Sequence, residues 1–228
     1  MYLLIVGSPR SGTTLFASMI GMHSDVAMLI EDRFFAIKKL MGKKVLANKL
    51  CIPNQIEISQ RANYLSRPLR RMGFMPNHSM SKFNIEDYLK LKDLKILTII
   101  RDPNDVISSI MKRGKKEEKI AQERWCRAIE IIDYLQTEHA DKTATISYED
   151  LVNEPEKLIR KVAAFLDLEF QPAMLDGYKY NILYPGEDGI DKSKAYKSKA
   201  ENREKRTFEI SQDIMNKYNK LVTEKIVP

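Results

Sequence analysis

An apolar run, Tyr2-Leu3-Leu4-Ile5-Val6, leads directly into Gly7-Ser8-Pro9-Arg10-Ser11-Gly12-Thr13-Thr14-Leu15. Glycines at 7 and 12 permit the close approach and unusual backbone angles of a loop that wraps its amides around an anion, with the N-terminus of the following helix facing the same charge. The spacing overlays the loop of nucleoside triphosphatases, except that Thr13 stands where their lysine belongs. Moving a terminal phosphoryl group relies on that lysine and on magnesium. Here the cation is Arg10, inside the loop, a layout suited to a group that carries less charge and is transferred without a metal.

A second set of candidates follows another apolar run, Leu94 to Ile100: Arg101, then Ser109 and, four residues further on, Arg113. Residues four apart share a helix face, so Ser109 and Arg113 are expected side by side. Arg101 has two readings, an anion ligand at a strand end or a surface charge paired with Asp102. Arg113 lies among Lys112, Lys115 and Lys116, where a generic basic surface is the alternative. Glu31, just beyond the short run Val26 to Ile30, is either a proton acceptor or an acid favoured at a helix start. Tyr148 either packs under a strand end or meets the bound ligand.

The elements that must position these residues alternate. Strands are expected at 2–6, 26–30, 94–100 and 143–147, and helices after the first loop, from 31 to about 50, from 105 to 113, along the stripe Ala121, Trp125, Ala128, Ile132 and Leu135, and after residue 153. Trp125 is read as core. Asn153, with Pro155 in the first turn and Glu156 three residues on, is read as a helix N-cap. The alternation implies an α/β fold of three layers, a mostly parallel central sheet flanked by helices, of the P-loop nucleotide-binding type. Ligands of such sheets sit beyond the carboxyl ends of the strands. The loop at 7–14, Glu31 after the second strand and Arg101 after the third would all meet there.

With 228 residues, 43% of them apolar, the chain is expected to form a single domain over 1–228. Its net charge of +7 and pI near 9.2 suit a polyanionic ligand. The basic residues are spread along the chain without interleaved aromatics, so a nucleic-acid partner is not expected. Cys51 and Cys126 form neither a disulfide framework nor a metal spacing. The opening apolar run is too short for a signal peptide or a membrane span of about 20 residues, and a cytoplasmic protein without a transmembrane segment is expected.

Taken together, Pro9-Arg10-Ser11-Gly12-Thr13-Thr14-Leu15 and Ile100-Arg101-Asp102-Pro103-Asn104-Asp105-Val106-Ile107-Ser108-Ser109 resemble the 5′-phosphosulfate loop and the 3′-phosphate motif of sulfotransferases that use 3′-phosphoadenosine 5′-phosphosulfate (PAPS). In motif detail the chain is most similar to the tyrosylprotein sulfotransferases and their bacterial relatives. The resemblance implies that Arg10, Ser11, Gly12, Thr13 and Thr14 hold the 5′-phosphosulfate, with Arg10 also acting on the departing sulfuryl group. It implies that Arg101, Ser109 and Arg113 hold the 3′-phosphate, that Tyr148 contacts the nucleotide, and that Glu31, with Arg33 nearby, is the base. His78 is the rival base, Asp32 an outside candidate, and His23 structural.

The activity implied is sulfuryl transfer from PAPS to an acceptor hydroxyl or amine of a carbohydrate, lipid or small metabolite, without a metal and leaving adenosine 3′,5′-bisphosphate (PAP). A peptide tyrosine is also compatible, and the basic stretch from Lys38 to Lys49 hints at an acidic acceptor. The alternatives are a deviant P-loop kinase using ATP and magnesium, and a non-catalytic nucleotide-binding module. The basic segment 191–206 stays unassigned, as does the oligomeric state.

Overall fold

The computed structural model describes residues 1–31, 42–58, 83–179 and 206–223. Five strands form a wholly parallel sheet: β1 (Tyr2–Gly7), β2 (Val26–Ile30), β3 (Val45–Cys51), β6 (Leu94–Ile100) and β7 (Thr143–Ser147), in the order β2-β3-β1-β6-β7. Two residue pairs, β4 (Ile56–Glu57) and β5 (Phe83–Asn84), make a small parallel sheet of their own.

Helices cover both faces, and alternation along the strands explains how. Leu3 and Ile5 of β1, with Leu97 and Ile99 of β6, face α1 (Thr13–Gly21) and α6 (Pro155–Phe165). Leu4 and Val6, with Ile96 and Ile100, face α3 (Pro103–Gly114), α4 (Glu118–Glu138) and α7 (Gln212–Thr223). The expected α4 stripe, Ala121, Trp125, Ala128, Ile132 and Leu135, is buried throughout. The short α2 (Ile85–Leu89) and α5 (Tyr148–Asn153) complete the described helices, with a 3-10 helix at Pro172–Lys179 seated on α1. Gly177 allows that seat: a Cβ there would lie 2.5 Å from the Met19 Cα. No helix among the described residues is long and apolar enough to cross a membrane.

The expected strands at the first, second, fourth and fifth places of the sheet, in chain order, are present. The helix expected from 31 to about 50 is corrected over 45–51, which is the strand β3 between β1 and β2. Two polar side chains in an interior strand disguised it. Asn48 is fully buried with its amide donating to the Tyr88 hydroxyl at 3.3 Å, and Lys49 is buried against Glu31. Arg101 therefore follows the fourth sheet strand in chain order, not the third. The N-cap expected at Asn153 moves one residue to Glu154, because Asn153 is the last residue of α5 and is itself helical. The cap of α5 is Ser147, whose hydroxyl accepts from the Asp150 amide at 3.1 Å.

The strand order sets the ligand edge. From β1 the chain moves to one side for β2 and β3, then crosses to the other side for β6 and β7, so the loop after β1 lies where the connections diverge. Such a switch point leaves a crevice beyond the strand ends.

Candidate functional site

The loop after β1 is built around its glycines. A Cβ on Gly7 would lie 2.7 Å from the Ile99 carbonyl oxygen and 2.8 Å from Ser11 Oγ, so only glycine lets the loop pass this close to β6. Ser11 closes the turn by donating from its hydroxyl and its amide to the Ser8 carbonyl, at 2.7 and 3.1 Å. Gly12 is the N-cap of α1 with φ 95°, and no side chain caps that helix. The first-turn amides at Thr13 and Thr14 thus have no intrahelical partner, the arrangement that receives an anion. Thr13 is buried with its hydroxyl 3.9 Å from Cys51 Sγ at the end of β3.

Arg10 adopts the left-handed conformation at φ 74° and sends its side chain across to α3, where Nε donates to Ser109 Oγ at 2.9 Å. Arg101, at the end of β6, donates from Nη1 to the Arg10 carbonyl at 3.3 Å, and its Nη2 stands 3.5 Å from Asp105. Asp102 instead caps α3, accepting from the Asn104 and Asp105 amides at 3.0 and 3.3 Å. The Arg101 guanidinium stacks on the Tyr148 ring, 4.1 Å from its centroid. Its Nε–H is buried without a hydrogen-bond partner among the described residues, an orphaned donor of the kind that ligand sites carry.

Burial, then the charges of Arg113 and Arg101, pull the Arg10 guanidinium below its usual pKa range. It stays protonated, since arginine does so at any accessible pH. Burial is the larger cause of the shift, and repulsion from Arg113 and Arg101 adds to it, so three cations are gathered near the Arg10 guanidinium. One anion placed there would relieve all three, so the residues fit a phosphate.

At the opposite side of β1, Glu31 follows β2 at φ 57° and its carboxylate meets the Lys49 ammonium of β3 at 2.7 Å. Lys49 is only 2% exposed, while Glu31 is 34% exposed. Burial disfavours this ammonium, but Cys51 and then Glu31 outweigh it and raise its pKa above the ordinary value. Lys49 is therefore a member of the site that was not singled out from the sequence, and it is no part of a basic surface inviting an acidic acceptor. Its signal was the apolar run on either side of it, Val45-Leu46-Ala47 and Leu50-Cys51-Ile52, which marks a strand ending at the ligand edge.

The structure brings Arg10, Gly12, Arg101, Ser109 and Tyr148 into one continuous set of contacts, with Ser11 and Thr13 on the same loop and Arg113 close enough to act on Arg10. Thr14 and Glu31 lie on the same edge of the sheet. His23 is structural: its Nδ1 accepts from the Asp25 amide at 3.0 Å, which leaves Nε2–H to donate to the Glu169 carbonyl at 2.9 Å. Arg33, Asp32, His78, Lys38 and 191–205 lie outside the described residues. Trp125 is core, yet its indole N–H donates to the Arg101 carbonyl at 3.3 Å and so fixes the backbone of the site. Two residues beyond Cys51 the chain enters a groove of about 500 Å³ between Pro53, Asn54 and Glu57 on one side and Ile120, Glu123, Arg124 and Arg127 on the other.

The sequence profile of the sulfotransferase domain matches residues 2–226. Protein-tyrosine sulfotransferase 1 of Danio rerio is 26% identical over 194 residues, covering 76% of this chain and 55% of that protein. The chain spans about half the length of the curated relatives it matches. In fold it is similar to the sulfotransferase domain of the Synechococcus PCC 7002 olefin synthase, with a TM-score of 0.65 and 16% identity over 97% of this chain and 94% of that one. Mouse sulfotransferase SULT7A1, solved in complex with PAP, gives a TM-score of 0.52 and 16% identity over 98% and 82%.

Proposed function

The chain belongs to the sulfotransferase domain family, and on that premise we propose that it moves a sulfuryl group from PAPS to an acceptor hydroxyl or amine. One observation carries this reading: the loop that opens the uncapped α1 holds Arg10 against Ser109 and close to the guanidinium groups of Arg101 and Arg113, while a carboxylate and an ammonium pair on the far side of β1. The first cluster suits a nucleotide bearing anions at both ends. The second suits the acceptor's proton.

Bound PAPS supplies a sulfuryl group joined to a phosphate that leaves as PAP. The amides of Thr13 and Thr14 hold the 5′ end, and the Thr14 hydroxyl adds a donor. Arg101, Ser109 and Arg113 hold the 3′-phosphate. Once that phosphate takes over Ser109, Arg10 is released towards the sulfuryl side, where its charge offsets the negative charge that develops as sulfur leaves the phosphate. Glu31 accepts the acceptor's proton as the new bond to sulfur forms. Lys49 holds the Glu31 carboxylate in place through its 2.7 Å contact, and no step is assigned to a metal.

The groove at Pro53 and Ile120 has a mixed polar and apolar lining. The candidate acceptors are a carbohydrate, a lipid or small-metabolite hydroxyl or amine, and a protein tyrosine of the kind named for the Danio rerio relative. The kinase alternative has no cation at Thr13, which is buried against Cys51. The test is thermal-shift binding of PAP against ADP with magnesium, followed by labelled-sulfate transfer from PAPS to acceptor pools for the wild type and Glu31→Gln. PAP stabilisation with transfer lost in the variant supports the enzyme. Binding of PAP without transfer in any pool supports a binding module, and preference for ADP with magnesium overturns the reading.

A further inference from the structure

We propose that Tyr148 is a positioning residue, a spacer that sets the Arg101 guanidinium relative to the loop after β1 and thereby gives the site its preference for a 3′-phosphate. This rests on the donor site described above and goes beyond it, because the ring acts here through Arg101.

The ring is engaged from two directions. A Cβ added to Gly12 would fall 2.4 Å from Tyr148 Cδ2 and 2.9 Å from Cε2, so the ring edge lies flush against the loop's second glycine. The Arg101 guanidinium lies over the ring at 4.1 Å from its centroid. Tyr148 is thus wedged between the segment facing the 5′ end of the nucleotide and the cation facing its 3′ end.

The polar contacts of Arg101 are too long to fix it alone. Nη1 reaches the Arg10 carbonyl at 3.3 Å, Nη2 is 3.5 Å from Asp105, and Nε has no partner among the described residues. Hydrogen bonds weaken near such limits, whereas a guanidinium stacked on an aromatic face is held in orientation by the ring. Stacking also leaves the edge of the guanidinium, where its N–H groups lie, open to an oxyanion. The ring itself is anchored: it opens α5 one residue after β7, where the Ser147 cap fixes the first turn. Gly12 consequently carries two requirements, its φ of 95° and room for the ring.

The experiment is calorimetric binding of PAP and of adenosine 5′-monophosphate, which lacks the 3′-phosphate, to the wild type, Tyr148→Phe, Tyr148→Leu, Arg101→Lys and the Arg101→Lys/Tyr148→Leu double variant. Tyr148→Phe keeps the face and is expected to retain the wild-type preference for PAP within about twofold. Tyr148→Leu removes the face and is expected to lose about tenfold in PAP affinity with little change for the monophosphate. Arg101→Lys keeps the charge without the flat face and is expected to show the same selective loss. Tyr148→Leu then adds little in the lysine background.

Equal weakening of both nucleotides by Tyr148→Leu overturns the inference, as does full additivity of the two substitutions. A loss in Tyr148→Phe as large as in Tyr148→Leu also overturns it, because the hydroxyl would then touch the ligand. If Tyr148→Leu does not fold, Tyr148→Met, which keeps the bulk without the aromatic face, takes its place with the same expectation and the same overturning result. A wild type that binds neither nucleotide removes the donor site itself, and the inference with it.

Discussion

Glu31 is tied to Lys49 twice: its carboxylate lies 2.7 Å from the Lys49 ammonium, and its backbone N–H donates to the Lys49 carbonyl at 2.9 Å. The ammonium is buried and the carboxylate a third exposed, so the two partners are not equivalent. Glu31→Ala leaves a cation stranded in the protein, whereas Lys49→Met leaves a carboxylate that water can reach. We expect Glu31→Ala to cost about 1–3 kcal/mol, a value discounted for exposure, and Lys49→Met to stay within about 1 kcal/mol of the wild type. Both should depress sulfuryl transfer. Urea unfolding of the two variants measures the order, and a more stable Glu31→Ala contradicts the asymmetry.

The same pair has a pH signature. Burial lowers the Lys49 pKa, but Cys51 and Glu31 raise it further, leaving it above the ordinary 10.5. A cation with its folded pKa raised contributes its full stability below the unfolded pKa and loses it as pH climbs through the folded value. The stability difference between wild type and Lys49→Met should therefore be flat from about pH 7 to 9 and change only above about 10.5. Unfolding midpoints across that range check it; a difference already gone at pH 9 refutes the pairing.

Arg10 and Ser109 are 99 residues apart and joined by a 2.9 Å hydrogen bond. If Arg10 acts on the departing sulfuryl group, Arg10→Ala should lower the transfer rate by about 100-fold or more while PAP binding falls far less. Ser109→Ala should do the reverse, weakening PAP about tenfold with a smaller effect on the rate at saturating PAPS. Single-turnover transfer and PAP titration separate the two, and matching profiles for both variants defeat the division of labour.

Arg113 repels Arg10. Arg113→Gln should leave the ligand-free protein as stable as the wild type or more so, yet weaken PAP binding and reduce its dependence on salt. Thermal unfolding with and without PAP at two ionic strengths reads both effects. Lower stability without ligand together with unchanged PAP affinity would count against Arg113 in the site.

Gly12→Ala places a methyl group at φ 95° and within 2.4 Å of the Tyr148 ring. The backbone alone costs about 1–2 kcal/mol for a non-glycine residue, and the clash adds to it. Nucleotide binding should be lost before folding is. Trp125, the single tryptophan of the chain, reports on this: its indole donates to the Arg101 carbonyl, so PAP should change its emission in the wild type and not in Gly12→Ala.

Legibility from sequence followed burial pattern. Strand β6 is an apolar run broken only by Lys95 and Thr98, β7 is a short Thr-rich run, and the bounds read from sequence match those in the structure. β3 was hidden because Asn48 and Lys49 sit in a central strand, where polar residues are tolerated only with partners that are remote in sequence, Tyr88 and Glu31. The same remoteness explains why Lys49 escaped notice. The motif residues were legible one by one, since loops at strand ends carry their signature locally. Their couplings were not: that Arg10 rests on Ser109, or that Tyr148 wedges between Gly12 and Arg101, depends on strand order.

The position of β1 at the middle of the sheet, with β3 on one flank and β6 on the other, has a consequence for how such a protein can change. The proposed proton-accepting pair hangs from the β2–β3 flank and the proposed nucleotide clamp from the β6–β7 flank, so β1 is a watershed between them. Substitutions accumulating on one slope need not be answered on the other, and a chain of this design can be retuned towards a different recipient while its grip on the donor is inherited intact.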